Sequence, residues 1–180
     1  MKTNFQLLAL ALVASLFTAC SPTLSPFTDN IYNDLGYSDD ELSKIQFYLS
    51  NDIILYRNFG GSESKVENGK IKLVDGHKVE EVVFKEGTPG VFVFSPKNER
   101  MAISFEENDE NYLMFGSNDK AGGKFVLLAK EWKKRNGKVT YAGKTWNTTS
   151  ESAYSNLLVD LDKARKTQYD RKTVGGRKVN

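Results

Sequence analysis

The sequence predicts a mainly β protein: a small antiparallel β-barrel or sandwich of about eight strands, with an N-terminal and a C-terminal helix packed on it. Three observations carry that expectation. Short apolar runs recur between turn-forming residues every ~8–12 positions. Asn68-Gly69 lies between Lys65-Val66-Glu67 and Lys70-Ile71-Lys72, the strongest short-range hairpin signal in the chain. Two segments, 39–49 and 151–166, instead carry apolar residues at helical spacing.

Taken in order, the first helix opens at Ser38-Asp39-Asp40-Glu41, which fits a capping box with Ser38 at the N-cap and Glu41 three positions on. Leu42, Ile45 and Leu49 follow at helical spacing, and a strand over 52–58 comes directly after. The hairpin at Asn68-Gly69 sets Glu67 opposite Lys70 and Val66 opposite Ile71. Asp75-Gly76 and Asn136-Gly137 have the same turn chemistry, and the Gly/Pro clusters at 86–90 and 95–98 break the middle of the chain. Strands are expected over 79–85, 91–95, 100–106, 112–116, 124–132 and 138–147. Several are apolar on both faces, among them Val91-Phe92-Val93-Phe94, Tyr112-Leu113-Met114-Phe115 and Phe125-Val126-Leu127-Leu128. A strand open to water on one side would alternate, so the helices are expected to cover the second face. The last helix, opened by Thr148-x-x-Glu151, presents Tyr154, Leu157, Leu158 and Leu161 on one side.

Composition narrows the chemistry. The 180 residues hold one cysteine and one histidine, too few for a disulfide framework or a Cys/His zinc site. The net charge of +2 argues against a nucleic-acid partner. It conceals a division: residues 20–162 carry 17 basic and 22 acidic side chains, a net of −5, whereas 163–180 carry seven basic and one acidic, a net of +6.

Residues 1–19 read as a signal peptide. Lys2 supplies the charge, Leu7 to Phe17 an apolar run too short to span a bilayer, and Thr18-Ala19 a small-residue end. Leu16-Phe17-Thr18-Ala19-Cys20 resembles the lipobox of bacterial lipoproteins, although Phe17 stands where that family prefers Leu, Val or Ile. The resemblance implies cleavage before Cys20 and attachment of diacylglycerol and N-acyl chains to it, with no other cofactor. Three chains at about 0.8 kcal/mol per buried CH₂ exceed what stable anchoring needs. Ser21 in place of an acidic residue implies sorting to the outer membrane, and the lack of a following acidic cluster implies its periplasmic face. Residues 20–30, with Pro22 and Pro26, read as the lipidated tether, 31–166 as the β-rich domain and 167–180 as a basic tail. Glu41 to Arg57, Val79 to Phe84 and Gly87-Thr88-Pro89-Gly90-Val91 are similar to lipoproteins of the Bacteroidota, a resemblance that implies no activity or site.

Each candidate constellation has a plain alternative. His77, beside the Asp75-Gly76 turn, lacks a second histidine and reads as solvated. The acidic run from Glu106 to Asn111 lacks the spacing and glycine of a calcium loop and reads as a hairpin tip. Gly60-Gly61 and Gly122-Gly123-Lys124 lack the Walker pattern. Along a strand over 138–147, Val139 and Tyr141 fall on one face and Trp146 on the other; Trp146 is either a stacking platform for sugar or peptide, or core, and core is preferred. In the tail, Arg171, Lys172, Arg177 and Lys178 are candidates for binding anionic lipid or phosphate, or a solubilising terminus.

These readings favour a non-catalytic outer-membrane lipoprotein, a binding or scaffold subunit held in the membrane by its anchor and partnered by an envelope protein. The alternative is a carrier of a small apolar ligand or lipid inside a barrel. A hydrolase built on Glu80, Glu81 or Glu106 ranks last, since no spacing recommends a pair. Cys20→Ser is expected to leave the outer-membrane fraction after a salt wash; retention of that variant in the membrane would overturn the anchor.

Overall fold

Burial alternates along the strands. In β2 (Gln46–Leu49) Phe47 and Leu49 are buried while Gln46 is exposed; in β13 (Leu157–Asp160) Leu157 and Val159 are buried and Leu158 and Asp160 half-buried. A period of two places the inner residues on one face of each strand. In the computed structural model, which describes residues 23–58, 70–74, 77–97, 99–133 and 136–169, these faces assemble two antiparallel sheets.

The first sheet has seven strands: β1 (Leu24–Pro26), β2, β6 (Pro89–Lys97), β7 (Arg100–Ser104), β8 (Tyr112–Asn118), β9 (Lys124–Leu127) and β13, in the spatial order β1-β13-β2-β6-β7-β8-β9. The second has six: β3 (Ile53–Asn58), β4 (Lys70–Val74), β5 (His77–Phe84), β10 (Glu131–Lys133), β11 (Asn136–Tyr141) and β12 (Lys144–Thr149), ordered β10-β11-β12-β3-β5-β4. The arrangement is sandwich-like, with two separate sheets and not one closed barrel. Among the described residues thirteen strands replace the eight expected: two long runs divide, and β1, β2 and β13 form in stretches expected as tether or helix. The run 124–132 breaks at Leu128–Lys130 as the chain passes from one sheet to the other. The run 138–147 folds back at Ala142-Gly143, both at positive φ, as a two-residue hairpin turn demands.

Phe27, Phe47, Phe115 and Phe125 are fully buried, and burying each contributes about 1.5–3 kcal/mol. Phe27 meets Phe47 and Phe125 at ring separations of 5.3 and 5.1 Å. Phe105 joins the sheets, 5.6 Å from Phe84 of β5 and 6.1 Å from Phe115 of β8.

The helices differ from expectation. The capping box of Ser38 and Glu41 forms, but α2 spans only Asp39–Leu42 and 46–49 is a strand. An additional short helix, α1 (Asp29–Leu35), precedes it. The expected helix over 151–166 is instead a 3-10 turn (Ser152–Tyr154), β13, and then α3 (Leu161–Tyr169). Leu157 and Leu158 fit a helical stripe, but pairing to β1 and β2 on both sides holds the segment extended. Helices therefore do not cover the outer face of β6, where Val91 and Phe94 stay 41% and 37% exposed. Phe94 packs edge-on against Tyr112 of β8, at 5.1 Å.

Most of the stretch expected as tether is folded. Residues 24–30 belong to the fold: β1 pairs with β13, Phe27 is core, and α1 begins at Asp29. Pro26 is accommodated because β1 is an edge strand. Asn136-Gly137 is not a turn either. Lys133 pairs with Asn136, so both residues lie in β11. The hairpin expected around Asn68-Gly69 and the turn residues Asp75-Gly76 lie outside the described residues.

Of the four passages between the sheets, at 50–52, 85–88, 128–130 and 150–156, side chains bind the first and the last together. Ser155 Oγ donates to the Asn51 carbonyl at 2.9 Å, and Ser50 Oγ accepts from the Asn156 N–H at 2.9 Å. Ser152 Oγ accepts from the Ile54 N–H, and Thr148 Oγ1 donates to the Ile54 carbonyl. Ser152, Ser155 and Thr148 are fully or almost fully buried. Ser155→Ala is expected to lower the unfolding free energy by about 1–3 kcal/mol, because the Asn51 carbonyl loses its donor. A change below about 0.5 kcal/mol in denaturant titration, the level of an ordinary surface substitution, would contradict that role.

Candidate functional site

An open groove of about 640 Å³ lies beside the crossover at 150–156, against the edge of β9. Asn51, Ser150, Tyr154 and Asn156 line it from the crossovers, Lys124 and Val126 from β9, and Asn118 and Lys120 from the turn before β9. Trp132 of β10 lines it from the other sheet. The site is thus assembled by the same break at 128–130 that hands the chain from β9 to β10.

Local chemistry fixes its walls. Asn118 caps the 3-10 turn Asp119–Ala121, its Oδ1 accepting from the Lys120 N–H at 3.0 Å. Gly122 and Gly123 follow at positive φ, so the glycine pair before Lys124 serves to reverse the chain. Asn51 Oδ1 lies 2.8 Å from the Ser50 hydroxyl, which is also 3.0 Å from Asn156 Oδ1 and donates its one proton to either.

Trp132 is directly opposite Gly137 across β10 and β11. A Cβ on Gly137 would stand 2.6, 2.7 and 2.9 Å from Cζ3, Cε3 and Cη2 of the indole. Near-equal distances from three consecutive ring atoms place that point over the ring face and not at its edge. The indole therefore lies flat on the glycine backbone, and Trp132 stays 41% exposed. Tyr154 is 77% exposed at the crossover.

The residues singled out in the sequence fall elsewhere. Trp146 is buried, cross-strand from Val139 and on one face with Tyr141, because the turn at 142–143 reverses the strand between them. Its indole N–H donates to the Tyr141 carbonyl, and the Arg57 guanidinium lies 5.0 Å above its ring. Arg57 in turn pairs with Glu80, which is buried. Glu81 follows on the opposite face of β5, and Glu106 lies in the loop after β7, so the three carboxylates do not converge. His77 opens β5 opposite Val74. Cys20, Gly60-Gly61, Arg171, Lys172, Arg177 and Lys178 lie outside the described residues.

The acidic run is the exposed tip of the β7–β8 hairpin, as its composition predicts, and internal hydrogen bonds order it. The Ser104 hydroxyl sits within 3.2 Å of the carbonyls of Glu106, Asn108 and Asn111, and Asn111 Nδ2 donates to Glu106 Oε2 at 2.7 Å.

Trp132 and Tyr154 were readable as site residues only with the topology in hand. The one signal for Trp132 is its charged flanks, Glu131 and Lys133, which suit an edge strand; Tyr154 sat on the apolar stripe of the expected helix. No protein-family model, curated protein or solved structure matches the chain.

Burial first, and then Glu106, push the Tyr141 phenol above its ordinary value near 10. Tyr37, whose hydroxyl donates to the Ala164 carbonyl, is raised by burial and then by Glu41. Both phenols stay protonated in the folded chain where the unfolded chain ionises. Their stabilisation is whole below about pH 10 and is lost as pH climbs toward the raised folded-state values. The melting temperature should therefore fall between about pH 9 and 12, less steeply in Tyr141→Phe. An unchanged slope in that variant would remove Tyr141 as a cause.

Proposed function

We propose that this chain is a non-catalytic outer-membrane lipoprotein, anchored through Cys20 at the periplasmic face, that serves as a binding subunit of an envelope assembly. The groove at the crossover is its working surface. The observation that carries this reading is an aromatic wall left exposed on a braced frame: Trp132 and Tyr154 face solvent while the segments beneath them are hydrogen-bonded between sheets. Preformed concave sites with a few placed polar groups are the usual form of a binding surface.

The short tether supports the same reading. Three residues separate Cys20 from Leu24, a reach over four Cα–Cα steps of at most about 14 Å. A domain on that leash stays at the membrane surface, where tethering raises its concentration beside other envelope components. The alternative of an apolar ligand carried inside the fold has less behind it. Phe27, Phe47, Phe115 and Phe125, which would have lined such a cavity, fill the space between the sheets.

A photo-crosslinking residue in place of Lys120, at the groove rim, should yield a specific adduct in intact cells. The same residue in place of Lys44, exposed just before β2 at the opposite end of the sheet, should not. Equal labelling at both positions, or none at Lys120, would overturn the groove as the working surface.

A further inference from the structure

Building on the groove as the working surface, we propose that its ligand is an acidic oligosaccharide. The sugar rings stack on Trp132 and Tyr154, and their carboxylate or sulfate groups meet Lys120 and Lys124.

A pyranose presents two different surfaces: a patch of C–H groups on its face and hydroxyls around its edge. The face suits an exposed aromatic ring, whose negative π surface attracts polarised C–H groups. Trp132 is fixed for that role. Gly137 lets the indole lie flat on the strand, so the ring is oriented before any ligand arrives. The edge needs unspent hydrogen-bonding groups, and the groove has them. Asn51 Nδ2, Asn118 Nδ2 and Ser150 Oγ have no partner among the described residues, whereas Asn51 Oδ1 and Asn118 Oδ1 are held from behind by Ser50 and Lys120. Each amide is thus oriented through its oxygen and free at its nitrogen.

Charge gives the ligand its sign. Residues 20–162 have a net charge of −5, yet no carboxylate is among the residues lining the groove, and both charged side chains there are lysines. Neither lysine is in an ion pair among the described residues, unlike Lys44, Lys85 and Lys133 on the same fold. Two unpaired cations in an acidic domain complement an anionic ligand.

An extended peptide fits less well. Adding a strand needs a free sheet edge, and the outer edge of β9 is already engaged. Its Phe125 N–H donates to the Phe27 carbonyl and its Leu127 N–H to the Ser155 carbonyl.

The test is equilibrium binding of the full chain, purified in detergent, to tetragalacturonate, a hyaluronan tetrasaccharide and the neutral cellotetraose. Tryptophan fluorescence reports binding because Trp132 is exposed and Trp146 buried. Saturable binding of an acidic probe is expected, at least tenfold tighter than cellotetraose, with the preference shrinking as salt rises. Trp132→Ala and Tyr154→Ala should each weaken it at least tenfold by calorimetry, and Trp132→Phe far less. Lys124→Gln should cut the preference for the acidic probes over cellotetraose at least severalfold, and an undiminished preference counts against the acidic part. Circular dichroism checks that each variant folds, and Tyr154, at 77% exposure, gives a variant with little core to lose. Failure of every saccharide, or binding indifferent to both aromatic substitutions, overturns the proposal. Equal affinity for neutral and acidic probes overturns its acidic part. If saccharides fail while the Lys120 crosslink still captures a protein, the ligand class falls and the binding-subunit reading stands. If both fail, both fall.

Discussion

Hydrogen bonds between the crossovers at 50–52 and 150–156 set the relative position of everything else in this fold. Apolar contact between two sheets is nondirectional, and a face of Phe, Leu and Ile would tolerate a slide of one sheet over the other. Directional bonds remove that freedom. Ser155 Oγ to the Asn51 carbonyl and the Asn156 N–H to Ser50 Oγ tie the crossover at 150–156 to the one at 50–52. Ile54 then receives a bond from Thr148 and gives one to Ser152. Thr148, Ser152 and Ser155 are buried, so leaving any of these hydroxyls unpartnered costs more than its bond contributes net. The asymmetry makes the seam a register device: a slipped sandwich would keep its greasy contacts and forfeit its polar ones.

The seam also disposes of an edge. β9 ends the seven-stranded sheet and would otherwise present free N–H and C=O groups to other chains. The segments that lead out of β1 and into β13 bond to it instead, through Phe27 and Ser155. Phe27 is thereby placed between Phe47 and Phe125. Phe27 thus serves both backbone closure and aromatic packing, which is why the described fold begins as early as Leu24. The groove inherits its rigidity from this arrangement, since the elements that frame it, the end of β9 and the 150–156 crossover, are the ones so bonded.

How much of this the sequence disclosed depended on whether one local pattern had one meaning. Ser38 and Glu41 form their capping box because capping is decided within four residues. The strand at 53–58 and those at 77–84, 89–97, 100–104 and 112–118 stand close to where alternation and turns put them. Leu157-Leu158-Val159 satisfies a helical stripe and a two-faced strand equally, and only the pairing partners, over a hundred residues away for β2, decide between them. Asn136-Gly137 has turn chemistry, but Gly137 is there to let an indole lie on the backbone. Trp146 is core, the reading its strand position favours, whereas the exposure of Trp132 follows from a sheet change at 128–130 that has no strong local marker. The groove was illegible because its walls come from four separated stretches, near 51, 118–126, 132 and 150–156.

The same dispersal explains why aromatic and cationic groups must act together there. At physiological salt the Debye length is about 8 Å, so two lysines neither attract an anion from afar nor are cancelled by the acidic remainder of the domain. Their effect is confined to groups already held close. Stacking on Trp132 and Tyr154 supplies that proximity but distinguishes poorly among ring faces. Charge without stacking is therefore weak, and stacking without charge is indiscriminate. A groove that brings Lys124 of β9 beside Trp132 of β10 couples the two, and it can do so only because the chain changes sheets between them. The selectivity of this surface is then a property of the sandwich seam, not of any contiguous motif.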